Sequence, residues 1–186
     1  MHKNYTKKDF PLDQLRRYLE PSPTLIVSSA HGHAHNLMTM NWYSVMEFTP
    51  ALIGCVIAQS NYSFDLIRKS KACVLNIPTA DMIDTIVKIG NSDGDAIDKF
   101  AVFGLTPAKA SHVKAPLIKE CYANIECKLH DAKLVKDYNF FIFEAVKAHV
   151  ATRPKYPKTI GYRGEGVFMF SGENITHKRG FRAGNL

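Results

Sequence analysis

No stretch of the 186 residues approaches the run of about 20 apolar side chains that a membrane-spanning helix needs. The opening residues, Met1 to Phe10, carry basic side chains but no apolar segment behind them, so no signal peptide is read there. Cysteine is scarce: Cys55, Cys73, Cys121 and Cys127, with no C-x-x-C pair among them. That excludes a zinc ribbon or a disulfide framework and fits reduced thiols in a cytoplasmic protein. Ser28, Ser29, Ser44, Ser60, Ser63 and Ser70 are candidate nucleophiles, but none lies in a G-x-S-x-G elbow, which argues against a hydrolase. The glycine-rich run Gly161-Tyr162-Arg163-Gly164-Glu165-Gly166 is neither a Walker A loop nor a dinucleotide fingerprint, because a strand and not a helix follows it. It reads as a hairpin turn. There is no internal repeat, no low-complexity segment, and a single tryptophan, Trp42.

What is present describes one domain over residues 1–186, with a leading helical segment (1–22) and a C-terminal tail (173–186). Apolar residues make up 46% of the chain and charged residues 22%, the balance of an ordinary globular domain. The formal net charge is +7, which attracts anions in general. The positive residues are dispersed, densest at Lys178-Arg179-Gly180-Phe181-Arg182, with no basic helix and no basic–aromatic stacking motif. A solvated tail is the reading, not a nucleic-acid site.

Leu12, Leu15 and Leu19 fall on one face of a short helix over residues 10–19, ended by Pro21 and Pro23. Strand patterns follow over 24–30, 37–46 and 51–58, the first two joined by a turn over 31–36, and the third, without charge, expected to be buried on both faces. Ser60 or Asn61 caps a helix running to Ser70. A strand over 72–77 and a helix opening at Thr79-Ala80-Asp81 come next, with Gly90 at the expected C-terminal position. A further short helix is read over 95–103. Residues 123–130 alternate apolar and polar, so one face is core and the other is wet or lines something polar. A long strand is expected over 138–150 and a last one over 167–170. Strands dominate and their connections are too short for regular βαβ crossovers, which favours an antiparallel barrel with a few helices.

His31, His33 and His35 form an H-x-H-x-H comb. On an extended strand their imidazoles would share one face, as a metal site requires. Gly32 and Asn36 mark a turn instead, so no metal site is read. The segment Asn36-Leu37-Met38-Thr39-Met40-Asn41-Trp42 mixes amides, a hydroxyl and the tryptophan on one strand. The helix start Ser60-Asn61-Tyr62-Ser63 lies some twenty residues on. Strand polar groups can read the edges of a flat heteroaromatic ring, and a helix start can take an anion. Either feature alone has an ordinary explanation, a core tryptophan or a simple helix cap.

Their order and distance are similar to those of the flavin reductase-like, FMN-binding split-barrel family, in its flavoredoxin-type branch. The resemblance runs from about Pro23 to Gly172. Besides the two segments above, it is carried by Thr49-Pro50-Ala51-Leu52-Ile53, Leu66-Ile67-Arg68, Val74-Leu75-Asn76-Ile77-Pro78, Asp98-Lys99-Phe100, Gly104-Leu105-Thr106 and Ala115-Pro116-Leu117-Ile118. It implies a mainly β fold with a few helices, a six-stranded antiparallel split barrel, forming a homodimer with FMN near the interface. It implies that Asn36, Met38, Thr39, Met40, Asn41 and Trp42 line the isoalloxazine, that Ser60, Asn61, Tyr62 and Ser63 hold the phosphate, and that Lys99 is a basic FMN contact. Either Phe168 or Phe170 matches an aromatic residue near the ring. Tyr138 stands where the branch often has His; it can donate a hydrogen bond but does not titrate near neutrality. Ser63 stands where Thr is frequent.

The resemblance implies an oxidoreductase in which FMN carries the chemistry and no catalytic side chain is required. The electron donor would be NAD(P)H or a small redox protein; no separate nicotinamide motif distinguishes them. No membrane or nucleic-acid partner is expected. The alternatives are a non-enzymatic FMN carrier or sensor and, more remotely, a basic β-barrel that binds nucleic acid.

Overall fold

The structure, a computed structural model, describes residues 4–19, 22–177 and 179–182. Parts of the leading segment and of the tail, Lys178 among them, lie outside the described residues. The elements run β1 (Lys7–Asp9), a 3-10 turn (Leu12–Gln14), α1 (Arg16–Leu19), β2 (Leu25–His31), β3 (Ala34–Met40), β4 (Tyr43–Phe48), β5 (Ala51–Val56), α2 (Tyr62–Ser70) and β6 (Ala72–Ile77). A second 3-10 turn (Ala80–Met82) leads into α3 (Ile83–Gly90) and α4 (Lys99–Val102), then β7 (Pro107–Ala108), β8 (Leu117–Ile118) and β9 (Ala123–Asp131). The chain closes with α5 (Val135–Tyr138), β10 (Phe140–Ala151), β11 (Ile160–Gly164) and β12 (Val167–Phe170).

The main sheet is antiparallel throughout, in the order β3-β2-β6-β9-β10-β5-β4, with β1 added on β10. The mainly β, split-barrel expectation is met. The long strand β10 meets β9 along most of its length, β5 at its start and β1 at its end. It changes register against β9 twice, between Ile142 and Phe143 and between Ala145 and Lys147. Such irregularities add local bend and twist.

Strand alternation divides the core in two. Leu25, Val27, Met38, Met40, Ile53 and Phe143 fill the concave side of the sheet. On the other side, Ile26 and Leu37 of β2 and β3 pack with Met82, Ile86 and Ile89 of the α3 region and with Phe100 and Ile118. Strands β2 and β3 are therefore covered on both faces, and β3 lies beneath α3 and α4.

Several expectations are corrected. The leading segment is not one helix over 10–19: a 3-10 turn and a single helical turn, preceded by β1, take its place, although Leu15 and Leu19 are buried as the pattern required. The 37–46 strand breaks at Asn41-Trp42 into β3 and β4. Tyr138 ends α5, and Asn139 in the left-handed region (φ 55°) reverses the chain before β10. The 95–103 helix shrinks to α4. Gly90 is the last residue of α3, and the next residue, Asn91, is not left-handed (φ −105°). Glycine is needed at 90 for closeness: a Cβ there would stand 2.9 Å from Thr39 Oγ1. Of the two options for the polar face of β9, wet or lining something polar, the second holds at its start. Asn124 and Glu126 are buried, and Glu126 accepts hydrogen bonds from the 111–113 loop and His149. The turn expected over 31–36 is only Gly32-His33, and Asn36 lies inside β3.

Candidate functional site

Two adjoining cavities cross β3 beneath α3, both bordered by Gly90. The first, about 340 Å³, lies between the start of α2 and the 90–99 loop. Its walls include Asn36, Ser60, Asn61, Tyr62 and Lys99. The second, about 280 Å³, is lined by Thr39 and Asn41 of β3, Ile86 of α3, and Tyr162 and Phe168 of the β11–β12 hairpin. No ionisable acid or base other than the Tyr162 phenol lines it. A polar chamber thus leads into an uncharged, partly aromatic one.

Asn61 builds the α2 end of the polar chamber. Its backbone is extended (φ −82°, ψ 131°) and its side-chain oxygen accepts from Ser63 N at 2.9 Å. The Ser63 hydroxyl, fully buried, receives hydrogen bonds from Asn36 Nδ2 at 3.0 Å and Ser29 Oγ at 2.9 Å. Among the described residues, Asn36 Oδ1 is the buried side-chain oxygen with no hydrogen-bond partner. Leaving such an atom unpaired costs about 1–3 kcal/mol. If the amide were turned over, its nitrogen would take the same place, so one buried polar atom of Asn36 awaits a partner either way. Gly94 lies against this amide so closely that any Cβ there would overlap it.

The opposite wall is tied by ionic and polar contacts. Lys99 is buried, and its Nζ donates to Leu37 O at 2.9 Å and Ile89 O at 3.0 Å. Burial pulls its pKa below the ordinary lysine value. An ammonium has three donors, so one remains for the chamber. Asp98 caps α4 by accepting from Phe100 N and Ala101 N, and it is held by His35 Nε2 at 3.0 Å. The hydrogen bond from His35, ahead of those from the α4 amides, keeps the Asp98 carboxyl below the usual carboxylate range. His35 is therefore a partner of the loop. Among the described residues no cluster of three or more His, Cys, Asp or Glu side chains has metal-binding geometry.

Of the residues singled out in the sequence, Asn36, Ser60, Asn61, Tyr62 and Lys99 come together around the first chamber, and Thr39, Asn41 and Phe168 around the second. Ser63 sits behind the chamber wall and holds Asn36. Met38 and Met40 point away from Thr39 and Asn41, into the core, because β3 alternates; Asn36 shares their parity and meets the first chamber at the α2 side. Trp42 and Tyr138 are outside both chambers and strongly exposed, at 73% and 67%. Phe168 contacts Tyr162, with ring centroids 4.9 Å apart, whereas Phe170 lies on the exposed outer side under Lys158. Asp65, Asp93 and Asp95 also line the first chamber and were not anticipated. The run Asp93-Gly94-Asp95 held the one local signal, a glycine between acids that marks a tight approach.

These features fit FMN in its ring and ribityl portions. A flat uncharged chamber, amide and hydroxyl edges, and an unpartnered buried polar atom suit a polar heterocycle on a polyol chain. Asp93 and Asp95 oppose a dianion on the loop side and Asp65 does so from the first turn of α2, so a phosphate fits only where donors outweigh them, ahead of Asp65 at residues 60–62. There, backbone amides and the Ser60 hydroxyl supply donors.

An antiparallel split barrel with a covered cleft across one edge strand defines the class. The chain belongs to the flavin reductase like domain family, whose model matches residues 15–168. It is 34% identical over 126 residues to an uncharacterised protein of Pyrococcus abyssi, covering 68% of this chain and 72% of that one. It is also 34% identical over 127 residues to an uncharacterised protein of Archaeoglobus fulgidus, covering 68% and 71%. Its fold is shared with an FMN-binding domain of a flavin reductases-like enzyme from Shewanella baltica (TM-score 0.87, 22% identity, 95% of this chain and 100% of that one). It is shared too with the flavoredoxin of Desulfovibrio vulgaris (TM-score 0.77, 24% identity, 88% and 92%).

Proposed function

We propose that this protein is an FMN-dependent oxidoreductase of the flavin reductase-like type, working in the cytoplasm as a homodimer. The observation that carries the reading is the two-chambered cleft across β3, with the partner-seeking amide of Asn36 in its wall. Bound FMN would supply the redox chemistry, taking electrons from NAD(P)H or a small redox protein and passing them to an acceptor. The chain's own work is binding and orientation. Asn36, held by Ser63, presents one polar atom to the cleft. Ser60 and Tyr62 at the start of α2 offer donors to a phosphate. Thr39 and Asn41 offer polar edges, and Phe168 and Ile86 exclude water from the uncharged chamber. Lys99 fixes the 90–99 loop and keeps one donor in reserve.

The test begins with colour. The purified protein, or apo-protein mixed with FMN, should show a bound-flavin spectrum with one FMN per chain. Anaerobic mixing with NADH and then NADPH should bleach the long-wavelength flavin band. Saturable FMN binding without bleaching by either nucleotide would leave a redox protein as the donor or a carrier as the function. Failure to bind FMN would sink the proposal.

A further inference from the structure

On the far side of α2 from the flavin cleft lies a third cavity, of about 310 Å³. It opens between α2, the end of β9 and α5. Its apolar lining is the half-buried Leu129 and the exposed Ala132, backed by the buried Phe64 and Phe141, which meet edge to face at 5.3 Å, and Val135 closes one side. Three cations stand around it, Arg68, Lys71 and Lys136, and no carboxylate lines it. None of the three has a carboxylate within ion-pair distance among the described residues; nearby Asp131 is engaged by Lys133. The Arg68 guanidinium sits over the Phe64 ring at 5.8 Å, a cation–π contact that holds the charge at the mouth of the apolar floor.

The local backbone fixes these cations. Lys71 caps α2 in the left-handed conformation (φ 58°), and its amide closes on Ile67 O at 2.8 Å. Arg68, in the last turn of α2, and Lys71, its left-handed cap, both line the same opening. In a chain of net charge +7, a concave apolar surface ringed by unpaired cations is more selective than a general basic surface. A bare inorganic anion would satisfy the rim and leave the floor empty. A neutral apolar molecule would do the reverse.

We infer that this cavity is a binding site for a small amphipathic anion, an aromatic or branched apolar body carrying one carboxylate or similar head group. The body lies on Leu129, Ala132 and Val135, backed by Phe64 and Phe141, and the head meets Arg68, Lys71 and Lys136. Its volume falls at the lower end of the range for small-molecule sites, enough for one or two fused rings. Gln59 borders both this cavity and the polar chamber of the flavin cleft, so an occupant would sit beside the cofactor site without entering it.

The experiment is calorimetric titration of the protein with 1-naphthoate, with 1-naphthamide as the neutral match and inorganic phosphate as the bare anion. Each is run with and without saturating FMN. One naphthoate should bind per chain, at least fivefold tighter than the amide or phosphate, and equally in the presence of FMN. The double variant Arg68→Gln, Lys71→Gln should weaken naphthoate at least fivefold while its thermal melting and FMN affinity stay unchanged. The single variant Lys136→Gln, on the opposite rim, should weaken it as well and controls for any misfolding of the double variant. No saturable naphthoate binding, equal binding of amide or phosphate, or indifference to both sets of variants would overturn the inference. Displacement of naphthoate by FMN would also overturn it, by making the cavity part of the flavin site; that result leaves the flavoprotein reading standing. A protein that never binds FMN but takes naphthoate as described would reject that reading and leave this one intact.

Discussion

Asn36 concentrates the chemistry of the cleft in one side chain. It is buried on β3, spends one amide group on Ser63 and leaves the other without a partner. Ser63 matters through this contact and not by touching a ligand. Ser63→Ala should therefore weaken FMN and riboflavin alike, by about tenfold, or about 1.4 kcal/mol. Ser60 is exposed at the chamber mouth, so Ser60→Ala should weaken FMN more than riboflavin. Equilibrium titration of apo-protein with both flavins measures the two variants. An equal loss for both flavins in Ser60→Ala would move the phosphate away from α2. At the β2–β3 turn, His31 and His33 are exposed and His35 holds Asp98. The pair His31→Ala, His33→Ala should leave the reduction rate within about threefold, less than 1 kcal/mol in barrier. Loss of activity in that variant, together with inactivation of the parent by a chelator, would reveal a metal role.

Between elements, Glu126 of β9 ties the 111–113 loop and β10 together. It is buried and accepts from Ser111 N, Ser111 Oγ, His112 N, Val113 N and His149 Nε2. Burial by itself would raise its pKa; the hydrogen bond from His149 and those from Ser111 and His112 outweigh it and hold the carboxyl at about 2. Because that value lies below the ordinary 4.5, the stabilisation is complete above pH 4.5 and is lost as pH falls through about 2. Glu126→Gln leaves the loop amides and His149 facing a neutral group and should cost about 3 kcal/mol at pH 7. Its melting temperature should also fall less steeply than the parent's between pH 5 and pH 2. Calorimetric scans across that range would decide it, and parallel acid limbs in parent and variant would place the acid sensitivity elsewhere.

The sheet as a whole ends on β3 and β4, and β4 carries Met46 and Phe48 exposed, with Trp42 just before it. Exposed apolar side chains on an edge strand are an invitation to association, and a symmetric pair is its commonest outcome. Sedimentation should give twice the chain mass of 20.9 kDa at micromolar concentration. Trp42 lies outside both chambers of a single chain, yet it is the strand's continuation toward the edge. If association brings it to the cofactor, FMN should quench its fluorescence in the dimer. A monomer with full FMN occupancy and unchanged indole emission would contradict both expectations.

The local order of elements was legible in the chain because it depends on near neighbours. The cap at Asn61, the β6 strand over 72–77 and the glycine hairpin after Ile160 each rest on residues within a turn or two. The set of residues around the cleft was legible only in part. Alternation along β3 sends Thr39 and Asn41 to the uncharged chamber under α3 and Met38 and Met40 to the core, while Asn36, of the methionines' parity, meets the polar chamber at the α2 side; which face does which depends on where α2 and α3 pack. Nothing in a single strand encodes that choice. The burial of Asn124 and Glu126 likewise needed the 105–119 loop folded across β9. The cation-ringed cavity behind α2 joins residues 68, 71 and 136, brought together by the pairing of β10 with β5 and β9. Propensity, capping and turn chemistry act over a few residues and are written in the sequence. Which faces are covered, and which distant charges meet, follows from how the sheet closes, and that is settled by packing of the whole chain.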